Sequence, residues 1–324
     1  MLSELELQLD SFMLNCDSKG LSRKTLKSYE QTLRLFISFL ENKHKVTEAE
    51  KVRTVHIRAY VLYLRKRGKY TVVADELSAN LNHPAHRTDF SKPISETTIA
   101  NYLRNIKVFF NFLYDEKEIT ENPAQRVANI KPTRKQKALL TEDEITKVLR
   151  AFDITTFHGY RSWLQVRLLL DTGIRSGECC SLRPEHVDIK NKALLIENPK
   201  NNKQRYAYFS PKMANDLRRW LLYRDRFSES EYLFPTIRGT MLDTNNFEKM
   251  LKQAGKKVGV AIHAHQLRNT FAKYYLLNGG DFVTLSRLLG HSSVEVTQKA
   301  YLDFAENEVA RKYQRHSPLN KMNL

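Results

Sequence analysis

The sequence is short of the residues that staple, anchor or cradle. Three cysteines in 324 residues, two of them adjacent at Cys179 and Cys180 and the third at Cys16, exclude a disulfide framework and a zinc knuckle, because neighbouring cysteines rarely bridge. A reducing compartment suits that usage. No apolar run approaches the roughly 20 residues of a membrane span, and the opening Met-Leu-Ser-Glu-Leu-Glu lacks the basic-then-apolar layout of a signal peptide. The expectation is a cytoplasmic protein with no membrane partner. Nor is there a glycine-rich loop ending in Gly-Lys-Ser/Thr, a dinucleotide fingerprint or a His-Glu-x-x-His helix, so no nucleotide or metal cofactor is expected. His83-Pro-Ala-His86 and His263-Ala-His265 have ligand-like spacing, but no cysteine or carboxylate partners stand beside them.

What the chain does have is length, aromatic bulk and positive charge. A chain of 324 residues exceeds what one hydrophobic core usually organises, which predicts two domains. With 41% hydrophobic and 10% aromatic residues it can fill their cores. Lys and Arg number 53 against 36 Asp and Glu, a formal charge of +17 that attracts polyanions, nucleic acid first among them. The excess is uneven. Residues 51–137 hold 17 basic and 8 acidic side chains, and residues 251–300 hold 7 and 2, which implies two separate basic surfaces.

Hydrophobic periodicity organises the first part into helices. After Ser22, Leu26, Tyr29, Leu33, Phe36 and Leu40 recur at helical spacing. Thr54 opens a second helix, with Ile57, Tyr60, Val61 and Leu64 inward and an end near Gly68. Residues 69–94 lose the period and read as a loop or insertion with one short helix. Ser95 restarts a helix with a wide apolar face from Ile99 to Leu113, expected to end around Asn122-Pro123. Residues 131–138 carry four cations and no apolar period, as a linker does.

The second part opens on a capping box, Thr141 with Glu144. Trp163 to Leu170 predicts a buried helix ended by Thr172-Gly173, and a short helix carries Cys179, Cys180 and Leu182 before Pro184. Ala193 to Glu197 and Arg205 to Phe209 read as a hairpin with a polar, basic tip. Helices are expected after Ser210-Pro211, after Thr244, over His265 to Asn278, over Asp281 to Leu289, and from Ser293 into the tail.

The chemistry-bearing residues lie in this second part. His265-Gln-Leu-Arg268 at a helix start puts an imidazole and a guanidinium on one face beside free backbone N–H groups, which describes an anion site. Thr172-Gly-Ile-Arg175-Ser-Gly-Glu178 precedes it, the Lys-bearing hairpin stands between, and Leu289-Gly-His291-Ser-Ser293 and Tyr301 follow. The order Arg, Lys, His-x-x-Arg, His, Tyr resembles the tyrosine recombinase (phage integrase) family over about residues 20–315, in the manner of its Xer-like or transposon-integrase-like members.

That resemblance implies a mainly α fold with a small β-sheet in the catalytic domain, and two domains closing as a C-shaped clamp around duplex DNA. Residues 1–130 would be the helical core-DNA-binding (SAM-like) domain, 131–139 the basic linker, and 140–324 the catalytic domain with a tail helix over Ala305 to Arg315. It implies Arg175 and Arg268 clamping the scissile phosphate, Lys200 as general acid, His265 and His291 as supporting acid/base and hydrogen-bonding groups, and Tyr301 as nucleophile. The implied reaction cuts and rejoins strands through a 3′-phosphotyrosyl bond without metal or ATP, for integration, excision or resolution, in a homo-tetramer assembled on DNA from free monomers. Lys200 stands in Pro199-Lys-Asn-Asn-Lys203-Gln-Arg205, which keeps the distance to Arg205 in the family's Gly-Lys-Gly-x-Lys-x-Arg pattern without its glycines. Lys203 is the rival for the acid role. Asn269 stands where many members carry a second His, and the interval from His291 to Tyr301 is one residue longer than in Xer-like members. The same residues would also serve a type IB topoisomerase, and the basic faces alone a non-catalytic DNA-binding regulator.

Overall fold

The computed structural model describes residues 3–73, 80, 83–133, 139–197, 204–227, 229–301, 313, 317 and 320. The fold is mainly helical with one three-stranded sheet, and the chain divides into two compact units, Met1–Lys135 and Gln136–Leu324.

The first unit contains the helices α1 (Glu4–Ser18), α2 (Arg23–Phe39), α3 (Thr54–Lys66) and α4 (Glu96–Asp115). Ser22 and Ser95 cap α2 and α4, their hydroxyls accepting the N–H groups of Thr25 and Thr98. The predicted stripes supply the core: Leu33, Phe36 and Leu40 meet Ile57, Tyr60 and Leu64 and the α4 face from Ile99 to Leu113. Helix α1 adds Leu5, Leu9, Phe12 and Cys16. Sequence reasoning missed it because the exposed Leu7 and Leu14 blur its apolar period.

Helix α4 ends earlier than expected, at Asp115 rather than around Asn122-Pro123. Lys117 takes a left-handed backbone (φ 62°), so the Lys117 N–H reaches the Tyr114 carbonyl and the Glu118 N–H reaches the Leu113 carbonyl. This pattern closes a helix without glycine. After α3 the chain comes back on itself where Gly68 pairs with Pro93 and the Lys69 N–H donates to the Lys92 carbonyl at 2.8 Å. Among the described residues between them, Asn80 is helical and Pro84–His86 form a helical turn.

In the second unit, α5 (Glu142–Arg150) starts on the predicted Thr141–Glu144 box. Helix α6 (Phe157–Thr172) begins six residues before Trp163, because the Thr156 hydroxyl accepts the Gly159 N–H, and it stops at Gly173 in the left-handed region. Helix α7 (Ser176–Cys180) follows. Strands β2 (Ala193–Ile196) and β3 (Arg205–Tyr208) form the expected antiparallel hairpin, with Ile196 opposite Arg205. An unforeseen short strand β1 (Val187–Asp188) pairs with β2; two residues are too few to show an alternating pattern. Helices α8 (Pro211–Arg224), α9 (Thr244–Lys257), α10 (Ala264–Leu277) and α11 (Phe282–Leu289) complete the described unit, with a further helical stretch over 294–301.

The main core of this unit packs α6 against α8 through Leu164, Leu168, Leu217 and Trp220, and the Trp220 indole N–H donates to the Leu233 carbonyl at 2.8 Å. A second, smaller cluster joins Ala272 and Leu276 of α10, Leu285 and Leu289 of α11, and Tyr301. The hairpin tip with Lys200 and Lys203, the linker residues 134–138 and, Tyr313 apart, the expected tail helix over 305–315 fall outside the described residues.

Candidate active site

Three stretches distant in sequence supply the candidate groups. Helix α6 ends at Gly173, and Arg175 follows it as the residue before α7. Arg268 lies in the second turn of α10, and His291 follows the last turn of α11. Tyr301 lies on the helical stretch after it, as the last residue described there.

Arg268 is 3% exposed and holds these stretches together. Its Nη1 donates to the Gly173 carbonyl at 2.6 Å, its Nη2 donates to the Leu289 carbonyl at 2.7 Å, and the same Nη2 lies 3.2 Å from Nε2 of His291. Carbonyls at helix C-termini have no intrahelical partner and sit at the negative end of the dipole, so a guanidinium belongs there. Burial, reinforced by the neighbouring Arg175, pushes the Arg268 pKa down to about 10, which leaves it a cation at neutral pH.

Arg175 is oriented by Glu178, three residues on. The Arg175 N–H donates to Glu178 Oε2 at 2.8 Å and its Nη1 to Oε1 at 2.9 Å. The Arg175 side chain keeps 29% of its surface in solvent, while that of Glu178 keeps 4%. Burial alone would raise the Glu178 carboxyl, but hydrogen bonds from Arg205 and Arg175 outweigh it and hold the pKa below the usual value.

His291 is fixed on both ring nitrogens, Nε2 facing Arg268 and Nδ1 lying 2.7 Å from the hydroxyl of the fully buried Thr297. Its ring runs parallel to that of Tyr301, with centroids 6.5 Å apart and 8° between planes. Tyr301 is 2% exposed, and its hydroxyl donates to Oδ1 of Asn269 at 3.2 Å. Burial raises the Tyr301 pKa above its ordinary value, and the cations Arg268 and Arg175 offset part of the rise.

The structure thus brings Arg175, Arg268, His291 and Tyr301 into one cluster. His265 is exposed on the first turn of α10, one turn before Arg268. Lys200 and its rival Lys203 lie outside the described residues. Sequence reasoning assigned no role to Glu178, Arg205 or Thr297. Glu178 carried a usable signal, since it follows Arg175 at the interval that marks Thr141 and Glu144 as a capping box. Thr297 carried none.

This arrangement collects two cations and a phenol in one cluster, groups whose chemistry suits a phosphodiester, and comparison with known proteins agrees with it. The model of the phage integrase family matches residues 138–308, and that of the phage integrase N-terminal SAM-like domain matches residues 9–82. Among the curated relatives, the tyrosine recombinase XerC of Thermodesulfovibrio yellowstonii is 28% identical over 312 residues, spanning 94% of this chain and 93% of that one. XerC of Bacillus subtilis is 28% identical over 303 residues, or 90% and 98%. Solved structures share the fold. The Tn1549 transposon integrase in complex with transposon right end DNA superimposes with a TM-score of 0.72 at 17% identity, over 96% of this chain and 99% of that one. A lambda integrase tetramer bound to a Holliday junction gives 0.67 at 18%, over 91% and 76%. The family match extends over more than half of the residues and includes Arg175, Arg268, His291 and Tyr301: the chain belongs to the phage integrase family, the tyrosine recombinases, whose reaction is site-specific breakage and rejoining of DNA strands.

Proposed function

We propose that Tyr301 is the nucleophile of this recombinase and that Arg175 and Arg268 clamp the scissile phosphate. The observation that carries the reading is the convergence of Arg175, Arg268 and His291 on the turn that ends α11, with Tyr301 stacked against His291. A phosphodiester attacked by a phenol gains charge on its non-bridging oxygens, and two forked guanidinium groups neutralise that charge without a metal. The Tyr301 phenol gives its proton to His265 as its oxygen forms a bond to phosphorus and the bond to the 5′ oxygen breaks, and Lys200 gives the departing oxygen its proton. His265 and His291 assist as acid/base and hydrogen-bonding groups. The 3′-phosphotyrosyl link conserves the energy of the broken bond, so a 5′ hydroxyl of another strand reverses the step and completes exchange.

The partner is double-stranded DNA, held by a helical core-binding domain over residues 1–130 and a catalytic domain over 140–324, with the basic stretch 131–139 linking them. The net charge of +17 supports that partner, as do the DNA complexes of the structural neighbours. Monomers in the cytoplasm of a prokaryotic cell, encoded by it or by its phage or mobile element, would assemble into a tetramer on two sites. The test is Tyr301→Phe on a nicked suicide duplex. The variant should bind DNA as wild type does and form no covalent adduct, and an adduct at the wild-type level removes Tyr301 from the mechanism.

A further inference from the structure

The last carbonyls of α11 and its cap meet three arginines from three different elements. Nε of Arg205, on β3, donates to the Leu288 carbonyl at 3.3 Å. Nη2 of Arg268 donates to the Leu289 carbonyl at 2.7 Å, and Nη2 of Arg175 to the Gly290 carbonyl at 3.5 Å. Two of these arginines have a place in the proposed reaction, and the third has none so far.

Arg205 makes its contacts within the protein. Its side chain is 10% exposed, and all three of its nitrogens donate within the protein: Nε to Leu288, Nη1 to Glu178 Oε1 at 2.9 Å and Nη2 to Glu178 Oε2 at 2.7 Å. The same Glu178 oxygens receive the N–H and Nη1 of Arg175. One buried carboxylate therefore lies between two guanidinium groups, one turned to the site and the other locked into the protein.

The charge balance gives this arrangement its meaning. A carboxylate paired with Arg175 alone would orient the guanidinium and cancel its charge, leaving little to neutralise a phosphate. A second cation on the far side of the carboxylate restores the balance: Arg175, Glu178 and Arg205 together carry one positive charge, and Arg268 adds another. We infer that Arg205 is a positioning residue of the recombination reaction, which compensates Glu178 so that this carboxylate can orient Arg175 without discharging it, and which ties the hairpin strand β3 to the turn that carries His291. This inference rests on the catalytic reading of Arg175 and Tyr301 given above.

The two strands of the hairpin are each tied down beside its tip. On β3 the tie is Arg205 with Glu178, and just beyond β2 it is Glu197, whose carboxylate lies 3.1 Å from Nε2 of His186. Lys200 lies between these two ties in sequence, so the hairpin that bears the proposed acid shares a buried ion network with the arginine that clamps the phosphate.

The test separates charge compensation from mere packing through a pair of substitutions. Adduct formation is followed under single-turnover conditions on the nicked suicide duplex, at DNA concentrations that saturate each variant. Arg205→Gln should slow cleavage by about 100-fold, because the uncompensated Glu178 then cancels Arg175. Arg205→Gln combined with Glu178→Gln restores the net charge and should recover at least about tenfold of that loss. Arg205→Lys, which keeps the charge and gives up the fork, should stay within about tenfold of wild type. A purely structural role predicts the opposite order, with the double variant as slow as Arg205→Gln or slower; that result, or a lysine variant as slow as the glutamine one, overturns the inference. Should Arg205→Gln fail to fold, the lysine and double variants still decide it. Tyr301→Phe on the same duplex keeps the two readings apart: an adduct that persists in this variant removes the catalytic reading, whereas an adduct lost there but unaffected by Arg205→Gln overturns only the role of Arg205.

Discussion

The Tyr301 hydroxyl donates its hydrogen bond to Oδ1 of Asn269, the residue that follows Arg268 in the chain. The proposed nucleophile and one of the proposed phosphate clamps are thus joined through adjacent positions of one buried helical turn, and both Asn269 and Tyr301 are nearly inaccessible to solvent. A hydrogen bond between two buried neutral groups contributes about 1 kcal/mol net. A double-mutant cycle of Asn269→Ala and Tyr301→Phe, followed by urea unfolding, should therefore show a coupling of about that size. Additive effects of the two substitutions would mean that the contact stabilises nothing.

The pH dependence of cleavage follows from the surroundings of Tyr301. Burial raises its pKa, and Arg268 and Arg175 lower it by less, so the group titrates above its ordinary value of 10.0. The phenol is consequently neutral at physiological pH, and adduct formation should climb from about pH 7 to pH 9.5 as the reactive phenolate becomes more populated. Arg175→Ala takes away a cation that favours phenolate and should displace the climb to more alkaline pH. Stability runs the other way: a folded-state pKa above the unfolded one gives stabilisation that is complete below pH 10 and lost as pH rises through the folded value. A rate that is flat over this range would dissociate Tyr301 ionisation from the cleavage step.

Much of this architecture can be read from local rules. Ser22, Ser95 and the pair Thr141–Glu144 announce helix starts because their side chains accept N–H groups a few residues away, and the structure shows those bonds. Gly173 and Gly290 announce helix ends for a similar reason, as both take the left-handed backbone that closes α6 and α11. What escaped were features set at long range. Glu178 and Arg205 meet across 27 residues of chain, and no periodicity records a contact between a helix start and a strand. Helix α4 ends at Asp115 and is closed by the left-handed Lys117, a residue with no intrinsic preference for that conformation, so the nearest proline drew the boundary too far along.

Gly290 is demanded twice, by its own backbone and by Arg205. Its φ is +62°, and a Cβ added there would stand 2.8 Å from both Cδ and Nε of Arg205. Gly279 shares the first constraint without the second, with φ +92° and nothing within 4 Å of an added Cβ. The left-handed conformation should cost either alanine variant about 1–2 kcal/mol, visible as a lower melting temperature. Only Gly290→Ala should also displace Arg205 and slow adduct formation by more than about tenfold. Equal cleavage rates in the two variants would show that the packing of Arg205 against Gly290 is irrelevant to the reaction.

The roles of the lysines and the arginines separate by leaving-group chemistry. A general acid matters only while the departing 5′ oxygen needs a proton, whereas a phosphate clamp matters whatever leaves. In a substrate with a 5′-bridging phosphorothiolate the sulfur leaves readily as a thiolate, so Lys200→Ala should regain most of its cleavage. Arg175→Ala and Arg268→Ala should remain slow on the same substrate, because the charge that they neutralise still develops on the non-bridging oxygens. Rescue of Lys203→Ala with no rescue of Lys200→Ala would transfer the acid role to Lys203. Rescue of neither would leave the hairpin lysines as DNA contacts only, and the proton would then have to come from another group, with His265, exposed one turn before Arg268, the next to substitute.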